Sequence, residues 1–464
     1  MRQETRQLEI ESDTEAPSLR ASRFGSQVAL TLMTNLLVSA IGLMTGSLTA
    51  RLLGPAGRGD LASIQVWGSF VATIALCGLA DSVIYFSSRD TGHAGQYWMS
   101  GTYCSLLCGI PALLVGNWVV SYALRGQSET VTAMLPWYTP AFFFLFALSS
   151  LSLGALRGSG RFSVWNTLRI FPQLGWALVV VYAIVCRQTT VSWLVSWFLV
   201  SYAVTTCVII VTMLRQVPVS LAPQVSLWPQ LLRYGFPSVT GNIPGQLMQS
   251  GRIAQLFLAV FLNPAALGLL AVGVALGDAI RIIPVAIASV VFPRVAAVQA
   301  DQQRVELIRS TRLTVLLTGI CATVAIVTCP LTVPFFFGAS FQDAVPSAML
   351  LAVGGSIEGM KIVLGGGIRG LGRPSAILTS EAIAVVSTVV SLIFLLPVWG
   401  VTGAALALTI GNLPAAFLLI RVAKDLTSCS SRYLLLPTLA DLRLVLTSTV
   451  RGWGVMRAVV IKAF

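Results

Sequence analysis

Charge is scarce in this sequence. Only 10% of its 464 residues are Asp, Glu, Lys or Arg, whereas a water-soluble domain carries about 25%, and 56% are hydrophobic. Histidine is scarcer still: His93 is the one residue of its kind, which excludes histidine-rich metal and haem sites and leaves His93 as a residue of a connection. The eight cysteines (Cys77, Cys104, Cys108, Cys186, Cys207, Cys321, Cys329 and Cys429) contain no CxxC pair, and most lie in apolar stretches. Neither a disulfide framework nor a zinc site is expected. A Walker A sequence, a kinase signature and a Ser-His-Asp arrangement are all missing, so the expectation is neither an ATP-driven pump nor an enzyme, with no cofactor. Gly365, Gly367 and Gly370 spell GxGxxG, but they close an apolar run and lack the strand-turn-helix setting in which such a loop holds phosphate.

What the sequence has in abundance is apolar runs long enough to cross about 30 Å of hydrocarbon, roughly 20 residues each. Breaks at Arg, Gly and Pro clusters divide them into helices at 26–50, 61–87, 97–120, 135–154, 165–186 and 191–214, then 232–261, 266–292, 312–336, 346–368, 375–397 and 401–422. The fold class expected is all-α, a polytopic membrane protein of about twelve transmembrane helices. Residues 1–25, which mix Arg2, Arg6, Arg20 and Arg23 with five acids, read as a disordered cytoplasmic tail rather than a cleaved signal. Residues 26–214 form a first lobe, 215–231 a cytoplasmic linker, 232–423 a second lobe and 424–464 a basic cytoplasmic tail that suits an anionic leaflet or an amphipathic surface segment.

The net charge of +13 does not point to nucleic acid, because the basic residues sit in short connections between spans. With the N-terminus in the cytoplasm, only Arg51, Arg58, Arg125 and Arg187 fall in outward segments and only Arg252, Arg281 and Lys361 deep within spans, Arg169, Arg233, Arg312 and Arg421 lying near inner span ends. All other Lys and Arg are inward, as the positive-inside rule requires. An even number of spans then puts both termini in the cytoplasm.

The punctuation repeats half a chain apart. Gly54-Pro55-Ala56-Gly57-Arg58-Gly59 corresponds to Asn263-Pro264-Ala265-Ala266-Leu267-Gly268 at an offset of 209, and Leu156-Arg157-Gly158-Ser159-Gly160-Arg161 to Ile368-Arg369-Gly370-Leu371-Gly372-Arg373 at an offset of 212. Such a repeat predicts two six-helix lobes inserted the same way up, related by a pseudo-twofold along the membrane normal, with a substrate cleft between them.

The residues themselves look familiar. Ala50-Arg51-Leu52-Leu53-Gly54-Pro55-Ala56-Gly57-Arg58-Gly59 resembles the end of the first helix in bacterial Wzx-like polysaccharide flippases of the multidrug/oligosaccharidyl-lipid/polysaccharide (MOP) superfamily. Similar too are Asn263 to Gly268, Val291-Phe292-Pro293-Arg294-Val295, Arg369-Gly370-Leu371-Gly372-Arg373-Pro374 and Val398-Trp399-Gly400-Val401-Thr402-Gly403-Ala404-Ala405. The resemblance covers roughly residues 25–425. It implies a two-lobe, MATE/MOP-like alternating-access transporter in the bacterial cytoplasmic membrane, with a polyprenyl-pyrophosphate-linked glycan as cargo. Membrane lipids and the polysaccharide polymerase or glycosyltransferase machinery are the implied partners. Where the family's seventh helix often carries an acid beside a base, this sequence has Gly251 before Arg252. A multidrug cation antiporter and a lipid II flippase are the competing readings. A membrane glycosyltransferase is disfavoured because no outward connection exceeds about 15 residues, too few for a catalytic loop domain.

Charges inside spans cost about 2.5–3.5 kcal/mol each, so those present are the candidate site. Arg252, Asp278, Arg281, Glu358, Lys361 and Glu381 all lie in the second half, with Asp81 near the inner end of the second span. Asp278 with Arg281, and Glu358 with Lys361, are spaced for ion pairs within one helix, and mutual neutralisation and substrate contact both remain open for them. Arg252 has no acid one turn away. It either meets a pyrophosphate, for which a guanidinium is a bidentate partner, or pairs with Asp278 or Glu381 on a neighbour. Ser238, Asn242, Gly245, Gln246, Gln249 and Arg252 fall within roughly 120° of one helix face, and Gln27, Thr31, Thr34, Gly42, Thr45 and Thr49 form a stripe on the first span. The candidate cavity residues are therefore Arg252, Gln249, Gln246, Asn242, Arg281, Lys361, Thr31 and Thr34. Asp278, Glu358 and Glu381 are candidates for ion coupling. Pro237 and Pro244, with Gly241 and Gly245, predict a bend in the seventh span.

Overall fold

The computed structural model describes residues 17–124, 127–218, 223–297 and 300–438. Every regular element among them is helical, and nine helices are long and apolar enough to cross a membrane. The chain is a multi-pass membrane protein. Its outside is correspondingly greasy: Leu114, Trp118, Leu178, Val327, Leu331 and Phe417 are largely exposed, which would promote aggregation in water but suits a lipid solvent.

About twelve crossings were expected, and the difference from nine lies at three places. Helix α1 (Pro17–Ala75) contains one residue outside helical geometry, Gly54, with φ 68° and ψ −178°. Near the far end of the chain, α13 (Ser375–Thr427) contains Gly400, with φ 53° and ψ −126°. Both values lie where a side chain is disfavoured, so glycine lets two rods join with no loop between them. The connection expected at 51–60 is thus helical from Pro55 onward, proline being well suited to a first helical turn. Arg58 accordingly sits on the second rod rather than in a polar loop.

The third place is the seventh span. It is divided into α8 (Trp228–Met248) and α9 (Arg252–Phe261) by a single 3-10 turn, Gln249–Gly251. The bend expected from Pro237 and Pro244 is not where the helix ends, since α8 continues through both. A proline removes one donor, whereas Ser250 (φ 54°) and Gly251 (φ 58°) are two successive left-handed residues, which a right-handed helix does not accommodate. The predicted single polar arc from Ser238 to Arg252 is therefore interrupted before its last member.

The remaining helices are α2 (Leu79–Arg89), α3 (Ala94–Ala123), α4 (Glu129–Gly158), α5 (Phe162–Leu168), α6 (Phe171–Val185), α7 (Val191–Gln216), α10 (Pro264–Ala297), α11 (Ala300–Phe337), α12 (Val345–Gly370) and α14 (Ser431–Leu435). The first helix begins at Pro17, earlier than expected, because spanning a membrane demands an apolar run and being helical does not. Likewise the basic tail opens in ordered structure. Arg312 of α11 donates from Nε to the carbonyl of Tyr433 in α14 at 2.6 Å and lies 3.8 Å from the centre of its ring. The tail portions 1–16 and 439–464, the linker residues 219–222 and the outward Arg125 fall outside the described residues.

The repeat read from the sequence reappears in backbone geometry. Helix α4 ends with Arg161 N–H donating to the Leu156 carbonyl at 2.9 Å and Gly160 N–H to that of Arg157 at 3.2 Å. At the end of α12, Arg373 donates to Ile368 at 3.2 Å and Gly372 to Arg369 at 3.1 Å. Gly160 (φ 75°) and Gly372 (φ 80°) complete two matching Schellman caps.

The largest apolar cluster joins both halves, running from Leu79, Phe143 and Leu151 to Leu258, Ala404 and Leu408. At the Gly54 end the halves meet backbone to backbone. A Cβ on Gly59 would overlap the Pro264 carbonyl, and one on Gly268 would overlap that of Pro55. These contacts exchange under the 209-residue offset, so they form one reciprocal clasp. Beside it, Ser47 and Arg51 donate to the last carbonyls of α11, those of Phe335 and Phe336, and Gln127 Nε2 donates to Leu262 at 2.9 Å. At the opposite end α8 rests on α2, with Ser82 Oγ donating to the Leu231 carbonyl at 2.7 Å and Ser238 Oγ to Asp81 Oδ2 at 2.6 Å.

Overpacking a close contact costs about 1–3 kcal/mol. Gly59→Val and Gly268→Val should therefore each lower the melting temperature of the purified protein. Gly319→Val should not, because a Cβ there meets nothing within 4 Å. A thermal melt of the three variants checks this, and equal melting of all three would remove the clasp from the account of stability.

Candidate functional site

The break between α8 and α9 opens a gap against α1 and α10. A cavity of about 300 Å³ there is lined by Asn35 and Ser39 from α1, Gln249 and Ser250 from the break, and Asp278 and Arg281 from α10. A crevice of only about 30 Å³ continues behind Ser250 and Gly251 to Glu358 of α12 and Asn412 of α13. Asp278 and Arg281 line both. The Gln255 side chain donates from Nε2 to the carbonyl of Ser250 at 2.9 Å, satisfying one backbone group freed by the break.

The in-span charges assemble in this region, but not in the pairs their spacing suggested. Arg281 Nη1 meets Asp278 Oδ1 at 2.6 Å, as expected. Glu358 and Lys361 do not pair with each other. Glu358 Oε1 instead lies 3.3 Å from Arg281 Nε, and Lys361 Nζ lies 3.2 Å from Glu381 Oε1 and 2.8 Å from Asn412 Oδ1. The reason is depth. Lys361 is almost fully buried between α12 and α13, at 3% exposure, so its ammonium takes the oxygens that neighbouring rods present rather than the one beside it on its own helix.

These pairings settle the partners open to Arg252. Asp278 and Glu381 are taken by Arg281 and Lys361, no described carboxylate pairs with Arg252, and its Nη1 reaches Gln246 Oε1 at 3.3 Å. Among the described residues these three carboxylates are met by two cations, Arg281 shared by Asp278 and Glu358 and Lys361 beside Glu381, so the linked groups carry a formal charge of −1 and Arg252 stands outside them.

The other predicted residues are spread around this gap. Gln249 lines it. Asn242 Nδ2 reaches back to Ser238 Oγ at 3.5 Å. Thr31 Oγ1 accepts from Asn166 Nδ2 of α5 at 3.0 Å, and Thr34 is buried; both lie away from the gap lining. The next turns of the same stripe, Thr45 and Thr49, line a different space, a cavity of about 550 Å³ within the first half that also holds Arg58, Gln65, Arg169 and Trp176. Arg58 and Arg169 were missed as site residues. Arg58 was read as part of a loop, and Arg169 as an inward positive charge at a span end. The signal that would have placed Arg58 is Gly54 followed directly by proline, which joins rods without a loop.

With the geometry in place, the comparisons define the class. The fold matches the lipid II flippase MurJ in an inward closed conformation with TM-score 0.73 and 13% identity, over 85% of this chain and 87% of that one. It also matches an inward-facing multidrug resistance MATE family transporter of the MOP superfamily (TM-score 0.60, 17% identity, 87% of this chain and 96% of that one). A third match is the Vibrio cholerae MATE transporter VcmN in its bent form (0.55, 14%, 89% and 99%). The architecture is that of MOP-superfamily transporters. A family profile described as polysaccharide biosynthesis protein matches residues 48–346, and the chain belongs to that family. No curated protein matches the sequence.

Removing one partner of a buried ion pair strands the other at a cost of about 3–5 kcal/mol. Because Glu381 keeps 23% of its side chain exposed, Lys361→Ala should fall at the low end of that range. Lys361→Ala with Glu381→Gln should recover much of the loss in a thermal melt. No recovery in the double variant would show that the ammonium is held for packing alone.

Proposed function

We propose that this protein translocates a lipid-linked oligosaccharide or polysaccharide precursor across the bacterial cytoplasmic membrane by alternating access. Both termini are cytoplasmic in this reading, and the chain performs no bond chemistry itself. The observation that carries it is the membership of the polysaccharide biosynthesis family in a chain whose fold is a MOP-superfamily transporter. The polar gap at the broken seventh span supports it, since helix interruptions at mid-membrane depth are where transporters of this kind hold charged cargo. The lipid diphosphate passes the gap lined by Gln249, Asp278 and Arg281; Arg252, just past the break, lines neither cavity and is the guanidinium that no described carboxylate occupies.

Asp278 is the leading candidate for ion coupling. It is the more exposed partner of its pair, at 37% against 13% for Arg281, so a proton or sodium ion has access to it and its neutralisation frees a guanidinium beside the cargo. Glu358 and Glu381 are the other two candidates. The multidrug cation antiporter is the second reading: Asp278 and Glu358 share one guanidinium, which leaves a negative charge for a cationic substrate, but the family profile that the chain matches is that of polysaccharide biosynthesis. The lipid II flippase reading shares the polyprenyl-diphosphate chemistry and differs only in the sugar.

Deleting the gene should cause undecaprenyl-linked oligosaccharide to accumulate on the cytoplasmic face, restored by wild-type protein. Arg252→Ala should impair export at normal expression, with Arg252→Lys intermediate, as bidentate recognition of phosphate requires. Full export by Arg252→Ala would exclude an essential anion contact at that residue. Reporter fusions should place both termini in the cytoplasm, and opposite sides would overturn the topology.

A further inference from the structure

The cavity enclosed by the first half differs in chemistry from the gap between the halves. It holds two guanidinium groups, Arg58 and Arg169, and no carboxylate lines it. Arg169 is held by Asn35 Oδ1 and lies 4.7 Å from the centre of the Trp165 ring. Arg58 makes no hydrogen bond, ion pair or ring contact among the described residues. A lone cation among apolar helices is costly unless water or an anion answers it.

One part of the wall is aromatic, and hydroxyl residues such as Thr45, Thr49, Ser69 and Ser149 line another. Tyr138 stacks on Phe142 at 5.5 Å between ring centres, and Phe142 on Tyr202 at 5.5 Å. Phe198 stacks on Tyr202 at 5.8 Å, with Trp176 edge-on to Phe198 at 5.3 Å. Between wall and guanidiniums lie the amides of Gln65 and Gln173. The cavity's free volume of about 550 Å³ lies within the roughly 300–1,000 Å³ of an ordinary small-molecule pocket.

Each component selects against a different ligand. A bare diphosphate suits the guanidiniums but has no apolar face to offer the rings. A drug-like cation suits the rings and is repelled by the two uncompensated charges. A sugar presents C–H faces to aromatics and hydroxyls to amides, and a uronic acid adds a carboxylate for arginine.

We propose that this cavity binds an acidic sugar residue of the carried glycan, separately from the gap through which the lipid diphosphate passes. The proposal rests on the transport function put forward above and assigns its cargo a uronic-acid class.

The test uses the full chain in lipid nanodiscs with a soluble glucuronic-acid tetrasaccharide as probe, read by calorimetry and by tryptophan fluorescence. The acidic tetrasaccharide should bind at least about tenfold more tightly than a neutral cellotetraose, and inorganic pyrophosphate should not displace it. Arg58→Ala should weaken binding by about tenfold, roughly 1.4 kcal/mol, with Arg58→Lys intermediate. Trp176→Phe should keep binding but lose most of the fluorescence change, which locates the probe. Equal binding of the neutral sugar, displacement by pyrophosphate, or unchanged binding by a folded Arg58→Ala each overturns the proposal. Should Arg58→Ala not fold, Gln173→Ala is judged by the same measure, and the pyrophosphate competition decides on wild-type protein alone. The probe carries no lipid, so the two claims separate. Glycan binding without lipid-linked transport sinks only the transport reading, and transport without acidic-sugar binding sinks only this one.

Discussion

The arrangement of the molecule depends on backbone touching backbone at the Gly54 end. Gly59 against Pro264 and Gly268 against Pro55 bring the two halves closer than any side chain allows, and the symmetry of the contact means that neither half can shift there without disturbing both members. Small residues serve this purpose in membranes because lipid tails are as apolar as leucine, so close packing rather than burial holds helices together. Arg51, bonded to the final carbonyls of α11, adds a polar tie beside it. Beside the clasp the halves leave an apolar space, lined by Leu43, Met44, Leu276 and Phe336, whereas the polar gap lies further along α1, where Asn35 and Ser39 face Ile282 and Val285.

Charge is distributed unequally between the halves, and in the opposite sense to a simple count of in-span ionisable residues. The second half contains nearly all of them, but its three carboxylates are linked to only two cations and leave a formal charge of −1. The first half contains few, yet its two cavity arginines meet no carboxylate. The uncompensated positive charge therefore resides where the sequence looks least polar. The second half offers a different property, a set of linked pairs in which one protonation alters the balance for the groups around it.

Much of the fold was legible because membrane insertion writes itself into composition. Apolar run length, the inward bias of Lys and Arg, and the matching turns at Gly160 and Gly372 all follow from local rules, and the duplicated Schellman caps carry the repeat down to individual hydrogen bonds. Less legible was whatever depended on the third dimension. Helical spacing joined Glu358 to Lys361, whereas rods packed alongside supplied nearer oxygens. Proline suggested a bend at Pro237 and Pro244, whereas two left-handed residues a few positions later ended the helix, and no proline or glycine-rich cluster announces a left-handed Ser250. Arg58 was concealed by the assumption that a Gly-Pro turn implies a loop.

That left-handed step at Ser250 and Gly251 has a consequence for the peptide groups around it. An interruption in the middle of a span exposes peptide groups that acyl chains cannot solvate, and Gln255 caps only the Ser250 carbonyl. The neighbouring donors are met within the chain, Gln249 N–H by the Gly245 carbonyl and Arg252 N–H by that of Gln249. The break is thus mended locally, by one amide side chain and two backbone bonds, and the span can change direction there without lipid having to solvate those groups.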